Sequence, residues 1–294
     1  MTVTLGVDNV CYNHTMQAGG LDVVGFLDKA VACGAKAVQM DPLWPSQGLD
    51  LSGSSLARLR AMLDDRGLQL VVKGNSGGLG SLAYPPEAAQ EDVDLFSSKI
   101  DAAVKLGSPV VRVVTRAYPY PTQHTTPPAG VPRDHVVGWV IANLRALTPL
   151  AEATGVRIAV ENHGDLRIAE LERILAEVNS PALGVQYDLL EQLPIFEDPR
   201  LAADRLLPYA FTVHWSDAYP VLSNRGFRVT VCKPGEGLLD LDGIAEIIAS
   251  LEQDVYVFSA FQADSMEIED SLVRAYLQDL RSRFCRTVRP QESQ

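Results

Sequence analysis

Residues 155–188 read GVRIAVENHGDLRIAELERILAEVNSPALGVQYD, and the fold is decided within them. A β-rich run, Arg157–Asn162, passes through a polar loop into an amphipathic helix over Leu166–Val178, and then into a second β-rich run, Leu183–Asp188. Strand, loop, helix and strand in this order make one βαβ unit. The same beat continues in both directions. Strands are predicted at Thr4–Asp8, Ala37–Asp41, Leu68–Gly74, Val110–Thr115, Ala210–Ser216 and Val255–Ser259. Helices are predicted at Gly20–Cys33, Ser54–Arg66, Glu87–Leu106, Asp134–Thr154, Asp198–Leu207, Leu241–Leu251 and Glu267–Phe284. Several of them stop at glycine, as at Leu106-Gly107 and Thr154-Gly155. Eight such units predict an α/β (β/α)₈ TIM barrel over residues 1–285, with 286–294 as a disordered tail. A doubly wound sheet would carry a glycine-rich turn after its first strand, and Asp8-Asn9-Val10-Cys11-Tyr12-Asn13 is not one.

Composition narrows the function. The 294 residues hold 25 Lys and Arg against 37 Asp and Glu, a net charge of −12. That balance excludes a nucleic-acid partner, which needs a basic surface to displace counterions. No run of apolar residues is long enough for a membrane span. The start lacks the charged and apolar regions of a signal peptide. Cys11, Cys33, Cys232 and Cys285 stand far apart, without metal or disulfide spacing. The expectation is a soluble cytoplasmic protein. Two long stretches, Arg116–Arg133 and Asp217–Gly237, follow the fourth and seventh strands, on the barrel face where sites are built.

Side-chain alternation then singles out three residues. In Ile158-Ala159-Val160-Glu161 the bulky Ile158 and Val160 point one way, Ala159 and Glu161 the other. By the same parity Gly184, Gln186 and Asp188 share a face, as do Ala210, Thr212 and His214, opposite Phe211 and Val213. Glu161, Asp188 and His214 are thus predicted to enter the lumen at the ends of three successive strands. Two carboxylates and an imidazole suit a divalent cation, Mn²⁺ first, with Mg²⁺, Co²⁺ or Zn²⁺ as alternatives. The bland alternative is that each residue caps its strand or pairs with a Lys or Arg.

These motifs, Glu161-Asn162-His163-Gly164-Asp165, Gly184-Val185-Gln186-Tyr187-Asp188, Val213-His214-Trp215-Ser216-Asp217 and Pro234-Gly235-Glu236-Gly237, resemble the xylose-isomerase-like sugar phosphate isomerase/epimerase family. The resemblance implies a metal held by Glu161, Asp188 and His214, with a further Glu from the eighth strand. That Glu is not evident: the region reads Ser259-Ala260-Phe261-Gln262-Ala263-Asp264. Gln262 is the candidate to fill the place with a neutral amide oxygen, with water or Asp264 as alternatives. The resemblance is also compatible with a homo-oligomer.

Around this centre, His163 shares the parity of Glu161 and is a candidate acid/base, or else a group orienting that carboxylate. Lys73, Arg116, Arg225 and Arg228 are candidate substrate-binding cations, with salt bridges or solvated surface as the alternatives. Trp215 and Trp44 are candidates to wall the pocket, with core packing as the alternative. The expected reaction is isomerisation or epimerisation of a sugar, keto-sugar or cyclitol through an enediolate, with Glu161 or His163 taking the proton α to a carbonyl. A metal-dependent lyase acting on an oxidised sugar is the alternative; a non-catalytic sugar-binding barrel or partner subunit is the second.

Overall fold

The structure, a computed structural model, describes residues 1–43, 50–75, 80–117, 130–224 and 226–285. Eight parallel strands close into a barrel: β1 (Val3–Asp8), β2 (Ala37–Met40), β3 (Gln69–Lys73), β4 (Val110–Val113), β5 (Arg157–Glu161), β6 (Leu183–Asp188), β7 (Ala210–Trp215) and, after an inserted pair, β10 (Val255–Ser259). The inserted pair, β8 (Ala218–Ser223) and β9 (Gly226–Val231), is an antiparallel hairpin. It replaces the irregular loop expected after the seventh strand.

Helices α1 (Asn13–Gln17), α2 (Val23–Ala32), α3 (Gly53–Asp64), α4 (Gln90–Leu106), α5 (Arg133–Thr154), α6 (Ile168–Val178), α7 (Pro199–Leu206), α8 (Leu241–Ser250) and α9 (Met266–Phe284) alternate with the strands. Their ends follow local chemistry. Asp22, Ser52 and Asp240 accept backbone N–H groups at helix starts. Gly107 and Gly155 close α4 and α5 at φ 67° and 72°, a conformation costly for any residue with a Cβ. Among the described residues no helix is long and apolar enough to cross a membrane.

The inward residues of the strands form layers. At the bottom Ala37, Val71, Val110, Ala159 and Phe258 make a small apolar cluster separate from the main core between strands and helices. Two residues further along the same strands come polar or charged side chains: Gln39, Lys73, Arg112 and Glu161, all buried. A hydrophobic plug below and an ionic layer above is what period-two alternation yields when one face of each strand lines the lumen.

One parity expectation is corrected. Val185 pairs with Ala210 but Gln186 pairs with Thr212, so β7 carries an extra residue at Phe211. Such a bulge reverses the side-chain sense of the residue it inserts. Phe211 therefore packs against the bottom cluster instead of facing the helices, while Ala210 joins the outer core. Beyond the bulge the alternation resumes, and Val213 and His214 lie as the sequence predicts.

Candidate active site

The C-terminal ends of the barrel strands open into a cavity of about 610 Å³, with Lys73, Arg112, Glu161, His163, Asp188 and His214 in its lining and Val229, Val231 and Phe261 among its apolar wall. Glu161, Asp188 and His214 are buried, and each offers a donor atom within 4.8 Å of the others. His214 Nδ1 stands 2.9 Å from Asp188 Oδ2 and 3.8 Å from Glu161 Oε1. The three residues chosen by parity and unit spacing thus do converge.

Around them lies a polar framework in which sequence reasoning singled out Lys73, with a salt bridge as one reading, and missed Arg112 and Gln39. Arg112 Nε donates to Glu161 Oε2. Lys73 Nζ donates to Asp8 Oδ1 and, at 2.9 Å, to Asn9 Oδ1. The Gln186 amide donates to Glu161 Oε2, while its oxygen accepts from Gln39 Nε2 at 2.6 Å and Thr212 Oγ1 at 2.9 Å. The signal for Arg112 and Gln39 was present: each alternates with apolar neighbours, Val111 and Val113, Val38 and Met40, on the lumen face. No motif marked them, because an isolated polar residue in a strand has no spacing to read.

The charges are unequal. Asp8, Glu161 and Asp188 face two permanent cations, Lys73 and Arg112, so the buried layer carries surplus negative charge. Burial alone would lower the His214 imidazolium, but Glu161, Asp188 and Asp8 outweigh it and hold its pKa up at about 9. Burial would raise Glu161, but Arg112, His214 and His163 bring it down to about 2. Burial would likewise raise Asp8, and Lys73 and His214 hold it far below the ordinary carboxylate range. Burial dominates at His163 and lowers it, which keeps the ring neutral near neutral pH.

This donor set fits a divalent cation. Two ionised carboxylates and an imidazole converge on one point, in a layer whose negative surplus a proton on His214 now balances. One carboxylate oxygen of the layer, Asp8 Oδ2, is buried and makes no hydrogen bond.

The remaining candidates fall in different places. His163 lines the cavity, its Nε2 3.9 Å from Glu161 Oε1. Gln262 lines the cavity from the exit of β10 but is exposed, unlike the buried three. Asp264 is exposed too and lies 3.8 Å from Arg228 Nη1, an exposed hairpin residue. Arg116 is buried with φ 56°, and its Nε and Nη1 have no hydrogen-bond partner; it is not in the cavity lining. Arg225 and Trp44 lie outside the described residues.

Trp215 is not a pocket wall. It is fully buried, its indole N–H donates to Asp279 Oδ2 of α9 at 2.9 Å, and its ring meets Phe284 edge-on at 6.0 Å. The alternation that turns His214 inward turns Trp215 outward, under the helix. Asp217 organises the rim: its carboxylate accepts the backbone N–H groups of Gly235 at 2.9 Å, Gly237 at 3.0 Å and Leu239 at 3.3 Å. That explains the Pro-Gly-Glu-Gly motif as a loop wrapped around one carboxylate.

Comparison with known proteins agrees with this architecture. The sequence profile of a family described as "Xylose isomerase-like TIM barrel" matches residues 27–279. No curated protein matches the chain. Among solved structures, a xylose isomerase domain protein from Planctomyces limnophilus superposes with TM-score 0.69 at 16% identity, covering 97% of this chain and 98% of that one. D-psicose 3-epimerase from Clostridium cellulolyticum H10, solved with D-tagatose, gives 0.72 at 16% identity, covering 96% and 99%. A xylose isomerase-like TIM barrel protein from Mycobacterium smegmatis in complex with magnesium gives 0.66 at 17%, covering 89% of each chain. Identities this low establish a shared fold.

Proposed function

The chain belongs to the xylose isomerase-like TIM barrel family, and on that premise we propose that it is a divalent-metal-dependent isomerase or epimerase of a sugar, keto-sugar or cyclitol. One observation carries the reading: Glu161, Asp188 and His214 converge, buried, on the floor of a cavity at the C-terminal end of the barrel. Structural neighbours named as a D-tagatose 3-epimerase-like protein, D-psicose 3-epimerase and L-ribulose 3-epimerase support the substrate class.

Glu161, Asp188 and His214 would hold the cation, and Gln262, which lines the same cavity, would be a neutral fourth donor. A divalent cation bound there supplies Lewis-acid polarisation of a carbonyl oxygen and its neighbouring hydroxyl. The chain's own groups do the rest. Lys73, fixed by Asp8 and Asn9, presents its ammonium to the cavity and can hold a substrate oxygen as negative charge develops. His163, kept neutral by burial, is the group suited to accept the proton α to the carbonyl, because Glu161 is clamped by Arg112 and is a weak base. A proton delivered to the opposite face of the same carbon, from a donor other than His163, gives an epimer; return to the adjacent carbon, with the hydroxyl proton passing to the former carbonyl oxygen, gives an isomer. The apolar wall formed by Val229, Val231 and Phe261 limits water around the reacting carbons.

The test is proton exchange. Manganese-loaded protein incubated in heavy water with D-tagatose, D-psicose or L-ribulose should wash the α-proton out of at least one sugar, read by proton NMR whatever the position of equilibrium. Glu161→Gln and His214→Ala should each lose metal binding by calorimetry while keeping the wild-type circular dichroism. Full metal occupancy in both variants would refute the centre.

A further inference from the structure

We propose that Asp8, arriving from β1, is the positioning carboxylate of His214: it holds the Nε2 edge of the imidazole, so that Nδ1 is the nitrogen presented to the cation site shared with Glu161 and Asp188. The proposal rests on the reading above and goes beyond it, since no motif includes Asp8.

Three observations carry it. First, Asp8 is wholly buried, and only half of its carboxylate is satisfied. Oδ1 accepts from Lys73 Nζ and, at 2.7 Å, from the Val10 N–H. Oδ2 has no hydrogen bond and lies 3.3 Å from His214 Nε2. An anionic oxygen buried in this way needs a donor, and a proton on His214 Nε2 would supply one from among the described residues.

Second, the layer's amides place an acceptor at Nε2. Gln186 directs its NH₂ at Glu161 and its oxygen at Thr212 and Gln39. Gln39 therefore gives its NH₂ to Gln186 and turns its own oxygen to His214 Nε2, at 2.5 Å. Gln39 Oε1 and, at 3.3 Å, Asp8 Oδ2 thus face Nε2 as acceptors, with the Gln186 amide nitrogen 3.0 Å from the same atom. Nδ1 faces the carboxylates of Asp188 and Glu161, so a cation held by all three would take its place on Nδ1 by displacing the proton there, and would leave the remaining proton on Nε2, toward Asp8 and Gln39.

Third, the strand register explains why the carboxylate comes from β1. Val7 pairs with Ser259, so the next residue along, Asp8, stands level with Ala260 of the neighbouring strand. Ala260 has no donor atom. The negative charge that β10 lacks at this height is present one strand away, where it reaches the far edge of the histidine ring instead of the cation.

Two measurements test this. In wild-type protein loaded with diamagnetic Zn²⁺, long-range proton–nitrogen correlation spectra should show His214 protonated at Nε2 and shifted by the metal at Nδ1. A metal-shifted Nε2 or a protonated Nδ1 overturns the proposal without recourse to any variant. In Asp8→Asn, which keeps the shape and removes the charge, Mn²⁺ affinity should fall roughly 10- to 100-fold by calorimetry, and the Nε2-protonated signal of His214 should weaken. An aspartate serving only as the partner of Lys73 would change the melting temperature and leave the tautomer untouched, so that pattern also overturns it. Wild-type protein that binds neither ion sinks the metal reading itself. Tight binding by the wild type with unchanged affinity in Asp8→Asn sinks only the role of Asp8.

Discussion

His214 illustrates how a single residue registers the field of a whole layer. Its proton is held to about pH 9, against an ordinary value of 6.5, because three carboxylates outweigh burial. In the metal-free protein this raised pKa contributes stability that is complete below about pH 6.5 and is lost as pH rises through about 9. Glu161 runs the other way. Its pKa, lowered from 4.5 to about 2, contributes above about 4.5 and is lost as pH falls toward 2. A cation entering at neutral pH must displace the His214 proton. Metal affinity should therefore climb with pH until about 9 and then level off. Calorimetry at neutral pH in two buffers of different ionisation enthalpy should show about one proton released per ion. Binding without proton release would mean that His214 is not a ligand.

At the scale of the element, the bulge in β7 links the bottom of the barrel to its chemistry. The inserted Phe211 turns into the lumen, and Gly184 on β6 makes room for it: a Cβ at Gly184 would lie 2.5 Å from the Phe211 ring and 2.5 Å from the Tyr209 carbonyl oxygen. Gly6 on β1 accommodates Phe258 in the same way, at 2.5 Å. These glycines are required by close approach. Gly184→Ala should destabilise the protein by about 2 kcal/mol, read as a lower urea midpoint with an unchanged slope. It should also weaken metal binding, since Gln186 and Asp188 follow on the same strand. A wild-type midpoint would show that β6 and β7 can spread at no cost. The β8–β9 hairpin is the other element that sequence reasoning left as a loop. In β9 Phe227, Val229 and Val231 alternate with Arg228 and Thr230, but β8 carries Pro220 and the 86%-exposed Leu222 and shows no such alternation.

The whole molecule couples the ionic layer to its stability. Asp8, Glu161, Asp188, Lys73, Arg112 and His214 come from six different strands, so an ion bound among them ties the upper end of the barrel together. Saturation at about 100 times the dissociation constant adds about 2.7 kcal/mol, which for a chain of this size raises the melting temperature by roughly 5 °C. Differential scanning calorimetry with Mn²⁺ and with a chelator checks this. Identical melting in the two conditions would mean that the folded barrel does not bind the ion.

The sequence by itself determined the repeat, the closed barrel and the three convergent side chains, because strand parity and unit spacing are local regularities written in consecutive residues. Glu161, Asp188 and His214 each follow an apolar strand whose inward face is set by period two, so their meeting could be read without coordinates. What only the tertiary structure decided lies between strands distant in the chain. Asp8 meets His214 and Gln39 meets Gln186 across the lumen, and Arg112 meets Glu161 of the neighbouring strand. Phe211 left its expected side because it is the bulged residue of β7, and α9 supplies the Asp279 carboxylate under which the outward Trp215 packs. Such pairings depend on the inter-strand register, which leaves no periodic trace in the sequence.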